Sequence, residues 1–338
     1  MSLTLEDIAK ISGYSRSTVS RVMNGEESVS ERAREQVMKV IQNLNFQPNL
    51  AARGLAAGRT GVLSLVIPVG VGAIFTDPFF PQLIQNVSSA CNALDYTVML
   101  WLAEPEYERR MISKILYNGL VDGVIVSSMV MDDPIVKALA QGKLPFVLIG
   151  RHPSNPKISY IDVDNRVGAR EAVLHLIRMG RKRIATITGP QNTIVGHDRY
   201  QGYLDALQER GIAVDPNLII ESDFTAAGSY AAALRLIAQR PDAVFAASDP
   251  MAISALRAFQ EAGYSVPGDL AIIGFDDIPQ SAQTNPPLTT VRQPTARMGR
   301  IAVETVVDMI HNPSEEPHRI VLPAELVIRS SCGTRMDG

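Results

Sequence analysis

Two sets of side chains in this sequence could do chemistry. The first lies near the start. Thr4, Ser15, Arg16, Ser17, Thr18, Ser20, Arg21 and Asn24 all fall within TLEDIAKISGYSRSTVSRVMNG. An arginine can donate two parallel hydrogen bonds to guanine O6 and N7, and Ser, Thr and Asn reach phosphates or base edges, so this set suits duplex DNA. The second set is spread over two hundred residues: Phe79, Arg151, Arg199, Phe224, Ser248, Asp249 and Asp276, together with Asp162. Each follows an apolar run or opens the segment after it. An aromatic ring can cover the apolar face of a sugar-like ring, Asp can accept from two hydroxyls, and Arg can donate to ring oxygens. Each also has a plainer reading: Asp162, Asp249 and Asp276 stand where helix caps belong, Arg199 could be a surface ion pair, and Phe79 or Phe80 could be core.

The first set needs a helical frame. Thr4 followed by Asp7 is a capping box, and Leu5, Ile8 and Ala9 make the inner face of a helix over 5–11 that Ser12-Gly13 stops. Ser15 caps a second helix over 16–23, whose apolar face is Val19, Val22 and Met23 and whose outer face keeps Arg16, Ser17, Ser20 and Arg21. Asn24-Gly25 closes it. Two helices joined by a tight glycine turn form the unit whose second helix enters the major groove. Ser30 caps a third helix over 31–44 with the stripe Ala33, Val37, Val40, Ile41 and Leu44, ended by Asn45 and Pro48.

Residues 49–57, NLAARGLAA, would form a helix too short to hold by itself in water. Arg53 and Arg59 can take phosphates. Up to Thr60, eight basic against six acidic residues leave +2, so the remainder of a chain of net charge −3 carries −5. The remainder is therefore not a nucleic-acid binder, and one headpiece alone should bind weakly.

From Gly61 apolar strands (VLSLVIPV, DGVIVSS, PFVLIG, RIATITG, AVFAAS, LAIIGFDD) alternate with helical stretches such as 79–94, 106–120, 167–179, 200–210, 229–239 and 251–262. This pattern calls for parallel sheets covered on both faces. There are too many strands for one sheet, and two α/β lobes joined near 160–164 fit better, with a ligand cleft at the C-terminal strand ends. The glycine-bearing segment 69–76 reads as a long loop.

The strings TLEDIAKISGYSRSTVSRVMNG and VSERAREQVMKVIQNLNFQPNLAARGLAAGRTGVL closely resemble the LacI/GalR family of bacterial transcription regulators, and DPFF, PFVLIGR, IDVDN, DRYQGYLDAL, SDPMA, GFDD and PPLTTVRQP continue the likeness. The resemblance implies an N-terminal all-α helix-turn-helix headpiece (1–48), a hinge helix and linker (49–60), and an α/β two-lobed periplasmic-binding-protein-like core (61–338). Lobe 1 would hold about 61–161 and 292–320, and lobe 2 about 162–291 and 321–335. It also implies that the hinge, with Asn49, Ala52, Arg53 and Leu55, orders on DNA, pairs across a homodimer and wedges Leu55 into the minor groove of a pseudo-palindromic operator. By the same match Arg199 and Asp276 are the leading effector contacts, with Phe79, Phe224, Arg151, Asp249 and Ser248 next. Many sugar-responsive members have Asn where this chain has Ser248. The expected effector is a sugar or sugar derivative, with a purine or nucleoside as runner-up, and the expected action is repression.

No GxSxG, Walker A, zinc-spaced pair or complete dinucleotide fingerprint occurs, and the two cysteines form no motif, so neither an enzyme nor a cofactor or metal is expected. Cys91 and Cys332 are expected to pack as small apolar groups. The sequence shows no secretion signal and no apolar span, which points to a cytoplasmic, nucleoid-associated protein with no membrane partner and argues against a solute-binding protein of transport, the rival reading. The absence of a C-terminal heptad helix favours a dimer.

Overall fold

A computed structural model describes residues 3–23, 25–26, 28–46, 59–101, 107, 119–128 and 130–334. The chain forms two compact units, Met1–Gly61 and Val62–Gly338. The expected hinge, with Asn49, Ala52, Arg53 and Leu55, lies outside the described residues, as do Asn24 and most of the helix expected over 106–120.

The first unit holds helices α1 (Leu5–Ser12), α2 (Arg16–Met23) and α3 (Glu31–Asn43). The capping box forms: the Asp7 amide donates to Thr4 Oγ1 at 3.3 Å, and the Thr4 amide to Asp7 Oδ2 at 2.9 Å. Gly13, at φ 77°, ends α1 in the left-handed region that glycine reaches without strain. Ser15 caps α2 through the Thr18 amide at 3.1 Å. Ser30 precedes α3 but makes no side-chain cap, because it lies exposed and water can serve the first amides. Ile8, Ala9, Val19, Val22, Val37 and Phe46 form the core. Leu44, expected in the stripe, is 37% exposed: α3 stops at Asn43, Asn45 turns at φ 44°, and Phe46 swings inward in its place.

The second unit is built on two parallel sheets. The larger runs in the order β11-β5-β4-β3-β1-β2, from β1 (Val62–Val66), β2 (Thr97–Trp101), β3 (Gly123–Ser127), β4 (Phe146–Ile149), β5 (Tyr160–Val163) and β11 (Arg319–Leu322). Side chains alternate across it, as a pleated strand dictates. Leu63, Leu65, Ile125, Val147 and Ile149 meet α5 (Phe79–Ala93) and α11 (Thr295–His311), while Val66, Val124, Val126 and Leu148 meet α6 (Pro134–Gln141). The segment expected as a long loop contains a short helix, α4 (Val71–Thr76).

The smaller sheet runs β7-β6-β8-β9, from β6 (Ile184–Thr188), β7 (Ile219–Glu221), β8 (Ala243–Ala246) and β9 (Ala271–Ile273). One face packs α9 (Ala226–Ile237) and α10 (Asp249–Glu261), and the other packs α7 (Asn165–Arg178) and α8 (Ile194–Glu209). A two-stranded antiparallel ribbon joins β10 (Thr290–Arg292) to β12 (Glu325–Val327). The chain passes between the two sheet systems three times: from β5 to α7, from β10 to α11 and from β11 to β12. Cys91 packs in the larger core. Cys332 is buried in the smaller one but also accepts a hydrogen bond from Thr289 Oγ1 at 3.2 Å and lies 3.4 Å from His175 Nε2.

Helix α8 starts at Ile194, six residues before the expected Tyr200. Thr193 caps it by accepting from the Gly196 amide at 3.1 Å, and Gly196 in its first turn hides that start in the sequence. Gly202 lets α8 approach α7: a Cβ there would lie 2.3 Å from the Arg166 carbonyl oxygen and 2.8 Å from Ala169 Cβ. Gly202→Ala should therefore destabilise the core by about 1–3 kcal/mol. Urea unfolding of the variant measures this, and an unchanged midpoint would contradict the close approach.

Candidate functional site

In the first unit, burial of Val19 and Val22 turns Arg16, Ser17 and Arg21 outward. Thr18 and Ser20 are half-buried at the edges of that face. Ser15 Oγ lies 2.8 Å from Ser17 Oγ and 2.9 Å from Thr18 Oγ1, which gathers the hydroxyls at the amino end of α2, where a phosphate is attracted by the free amides. Arg16 pairs with Glu6 at 3.8 Å and Arg21 with Glu26 at 3.7 Å, all four side chains well exposed. Such pairs contribute little and give way readily to a phosphate or a base. Thr4 already spends its hydroxyl on the capping box.

In the second unit a cavity lies where the carboxyl ends of both sheets converge. The larger sheet's side contributes Asp77, Phe79, Ser127, Ser128, Ile149, Gly150 and Asp162. The smaller sheet's side contributes Asn165, Ile194, Val195, Arg199, Phe224, Ser248 and Asp276, and Gln293 and Met298 come from the crossover. A larger concavity of about 290 Å³ lies elsewhere, walled by residues 139–146, 155–158, Met309, Pro313 and Ser314. It has no carboxylate and no aromatic but Phe146, so the chemistry favours the strand-end cavity over the roomier one.

Arg199 organises this cavity. It is 3% exposed and its guanidinium lies 3.7 Å from the centre of the Phe275 ring. Its Nε donates to Asn165 Oδ1 at 2.9 Å, and its NH1 donates to the Ala247 carbonyl at 2.6 Å and faces Asp276 Oδ1 at 3.1 Å. Burial lowers its affinity for the proton, and the Asp276 carboxylate opposes that. Asp276 also accepts from Gln293 Nε2 at 2.7 Å. Burial pushes its carboxyl up to about 8, Arg199 works in the opposite direction, and Asp249 and Asp77 add to the rise. Its backbone is strained, at φ 118°, and the next residue Asp277 sits at φ 57°. Asp277 is held by Arg292 Nε at 2.7 Å and Arg329 NH2 at 2.6 Å, so two guanidiniums outside the cavity fix the turn that aims Asp276 into it. Phe224 is a third non-glycine at positive φ, 64°, and its ring lies on Gly189, where a Cβ would approach within 2.2 Å.

Two of the expected contacts are placed differently. Arg151 is not on the cavity wall. It donates to Asp162 Oδ2 at 2.8 Å and, through both terminal nitrogens, to Asp198 on α8. Burial opposes its charge, but the two carboxylates more than offset this and raise its pKa. It thus ties the end of β4 to a helix of the smaller sheet. Asp249 is fully buried behind the wall, as the first residue of α10, accepting from the Ile278 amide at 3.0 Å, Ser281 Oγ at 2.5 Å and Thr290 Oγ1 at 2.5 Å. Burial pushes it up to about 6. Neither Asp162, inside β5, nor Asp276 serves as a helix cap.

These geometries match known proteins along the whole chain. Residues 4–49 match the family model of bacterial regulatory proteins, lacI family, and residues 154–332 match a periplasmic binding protein-like domain. The transcriptional regulator CelR of Thermobifida fusca is 39% identical over 97% of this chain and 98% of its own. The chain belongs to the lacI family of bacterial regulatory proteins. The ribose operon repressor of Halalkalibacterium halodurans is 33% identical (97% of this chain, 96% of its own), and the repressor PurR of Photobacterium profundum is 31% identical (97% and 98%). Among solved structures, a CelR–cellobiose complex shares 37% identity at a TM-score of 0.78, covering 97% of this chain and 99% of that one. A lac repressor dimer bound to operator and an anti-inducer shares 26% at 0.87, covering 98% and 99%. The lacI-type headpiece and the two-sheet core are as the sequence implied.

For a lacI-family core, the cavity adds residues that the strand-end reading did not single out as contacts. Ser127 and Ser128 close the run DGVIVSS and could have been found by the same strand-end rule. Gln293, Val195 and Met298 could not, because only the crossover and the true start of α8 bring them there. Among the described residues no cluster of His, Cys, Asp or Glu could hold a metal ion, and no helix is long and apolar enough to cross a membrane.

The raised carboxyls set a pH dependence. Asp249 and Asp276 hold their protons in the folded core to about 6 and about 8, whereas an unfolded chain releases them at ordinary carboxylate values. Between those limits the unfolded state binds fewer protons, so stability falls as pH rises. The melting temperature of the core should drop from pH 5 to pH 8, and Asp276→Asn should flatten that slope; a wild-type profile that rises over this range would contradict the assignment.

Proposed function

We propose that this lacI-family chain is a repressor that binds a pseudo-palindromic operator as a homodimer and is controlled by a sugar held in the strand-end cavity. The observation that carries the reading is the cavity's combination of Phe79 and Phe224 with Arg199 and Asp276, in a chain that also carries a helix-turn-helix. Two rings can cover the faces of a saccharide while the Arg199 guanidinium and the Asp276 carboxyl serve its hydroxyls. A β-linked glucose disaccharide such as cellobiose is the first candidate, because the CelR complex is with cellobiose and shares 37% of its residues with this chain. A purine is the second reading, supported by the 31% identity to PurR. The division is a headpiece over 1–48, a hinge over 49–60 and a core over 61–338.

Arg16, Ser17 and Arg21 read bases, Ser15, Thr18, Ser20, Thr4 and Asn24 position the headpiece, and Asn49, Ala52, Arg53 and Leu55 act from the hinge in the minor groove. Arg199, Asp276, Phe79, Phe224 and Ser248 contact the effector, with Arg151 and Asp249 acting from behind through Asp162, Asp198 and the Asp276 turn. The chain catalyses no reaction and works in the cytoplasm on the nucleoid. An effector that alters how the lobes sit changes the cost of ordering the paired hinges, and the coupling is reciprocal: an effector that weakens operator binding binds less well on DNA.

The test is selection of an operator from a random palindromic pool, followed by titration with cellobiose. Leu55→Ala should weaken operator binding tenfold or more, about 1.4 kcal/mol, with effector binding unchanged. Arg199→Ala should abolish the cellobiose response and leave operator binding intact. Operator affinity unaltered in Leu55→Ala would sink the hinge role, and release by purines alone would transfer the assignment to the second reading.

A further inference from the structure

The cavity is short of positive charge. Among the described residues that line it, Asp77, Asp162 and Asp276 carry carboxylates and Arg199 is the lone cation. Arg151, just outside, is shared by Asp162 and Asp198. Asp249 lies behind the wall with only neutral donors on its oxygens, and Asp277 beyond it is met by Arg292 and Arg329. Setting aside that last group, five carboxylates face two guanidiniums.

Much of the unused hydrogen-bonding capacity is of the same kind, although Arg199 NH2 is a donor with no acceptor among the described residues. Asp276 spends Oδ1 on Gln293 and Arg199, and Asp77 spends Oδ1 on the Phe79 amide at 3.0 Å. Their second oxygens have no donor among the described residues. Ser248 Oγ is buried on the cavity wall, 3% exposed as a residue, and has no hydrogen-bond partner among the described residues. A buried polar atom left unpaired is costly, so this hydroxyl is suited to a ligand. Beside the Arg199 NH2 donor, the wall offers two carboxyl oxygens and a hydroxyl, which a ligand rich in donors would meet.

We propose that the cavity selects its effector by charge, admitting uncharged and cationic sugars, including those with a protonated amine, and excluding phosphorylated and carboxylated ones. This rests on reading the cavity as the effector site. A unit charge a few ångströms from an unbalanced carboxylate, at the effective dielectric of protein sites, shifts affinity by about a hundredfold. The raised affinities of Asp276 and Asp249 for protons agree: the cluster relieves its excess by holding protons. An ammonium group would displace one, whereas an anion would have to bring another in.

Calorimetry on the full chain tests this with cellobiose, glucose, glucosamine, glucose 6-phosphate and glucuronate. The anionic sugars should bind about a hundredfold more weakly than glucose, and glucosamine no more weakly than glucose. Glucosamine binding at pH 7 should release a proton, seen as a heat that varies with the ionisation enthalpy of the buffer. Asp77→Asn should narrow the gap between glucose and glucose 6-phosphate. Glucose 6-phosphate binding within threefold of glucose overturns the proposal. If only purines bind, the sugar reading falls and the charge rule is judged separately by guanosine against guanosine monophosphate on the same criterion. Should no ligand bind, the excess charge is read directly: Asp77→Asn should raise the melting temperature more at pH 8 than at pH 5, and no gain at pH 8 overturns the proposal.

Discussion

The burial of one guanidinium constrains everything around the cavity. Arg199 has left water almost completely, which is tolerable only while its charge and most of its donors are met. Phe275 covers one face, Asn165 Oδ1 accepts from Nε, the end of β8 supplies a carbonyl, and Asp276 supplies a carboxyl oxygen. Those partners come from the start of α7, the end of β8 and the turn after β9, so the ends of separate elements are held in register by one side chain. The strained Asp276–Asp277 turn persists because Arg292 and Arg329 hold it from the far side. Strain at Phe224 is met in the same way by the bare backbone of Gly189, which lets the ring lie flat. Three of the six non-glycine residues at positive φ among the described residues, Phe224, Asp276 and Asp277, thus stand at the cavity or in the turn that supports it.

Much of this was legible in the sequence, for identifiable reasons. The headpiece helices announce themselves through local signals, the Thr4–Asp7 box, Gly13 and Ser15, which depend on residues only a few positions apart. The parallel sheets are legible because strands buried on both faces read as unbroken apolar runs, and strand ends point to the cleft. What failed was mostly non-local. One exception is Leu44, which one left-handed neighbour, Asn45, turns outward while Phe46 enters the core. The start of α8 is masked by Gly196, whose lack of a side chain serves the close approach to the Pro190 carbonyl rather than helix propensity. Arg151 and Asp249 stand at strand ends, as ligand contacts do, yet each is consumed by partners distant in sequence: Asp198 for one, Ser281 and Thr290 for the other. No spacing rule distinguishes a carboxylate aimed into a cleft from one supporting the wall behind it.

Arg151 has a further place in this arrangement. It reaches from the end of β4 to Asp198 on α8, and so joins the two sheet systems at a point other than the crossovers. The carboxylates it joins are both nearly excluded from solvent, at 2% and 4% exposure. Asp162 stays with Arg151 on the larger sheet, but separating the sheets would leave the buried Asp198 without its cation, a cost that opposes opening until something offsets it.

The three crossings between the sheet systems also decide what kind of movement the core allows. A single linker would be a swivel, permitting rotation about any axis. Three side-by-side strips, at 163–165, 292–295 and 322–325, act as a leaf spring: they bend together about one line but resist twisting, since a twist must lengthen some strips while shortening others. For a core joined in this way the easiest response to a molecule in the cleft is a change of one angle between the two sheet systems. Such a change is shared by every residue on either side of the bend, so within the core it needs no dedicated path of contacts.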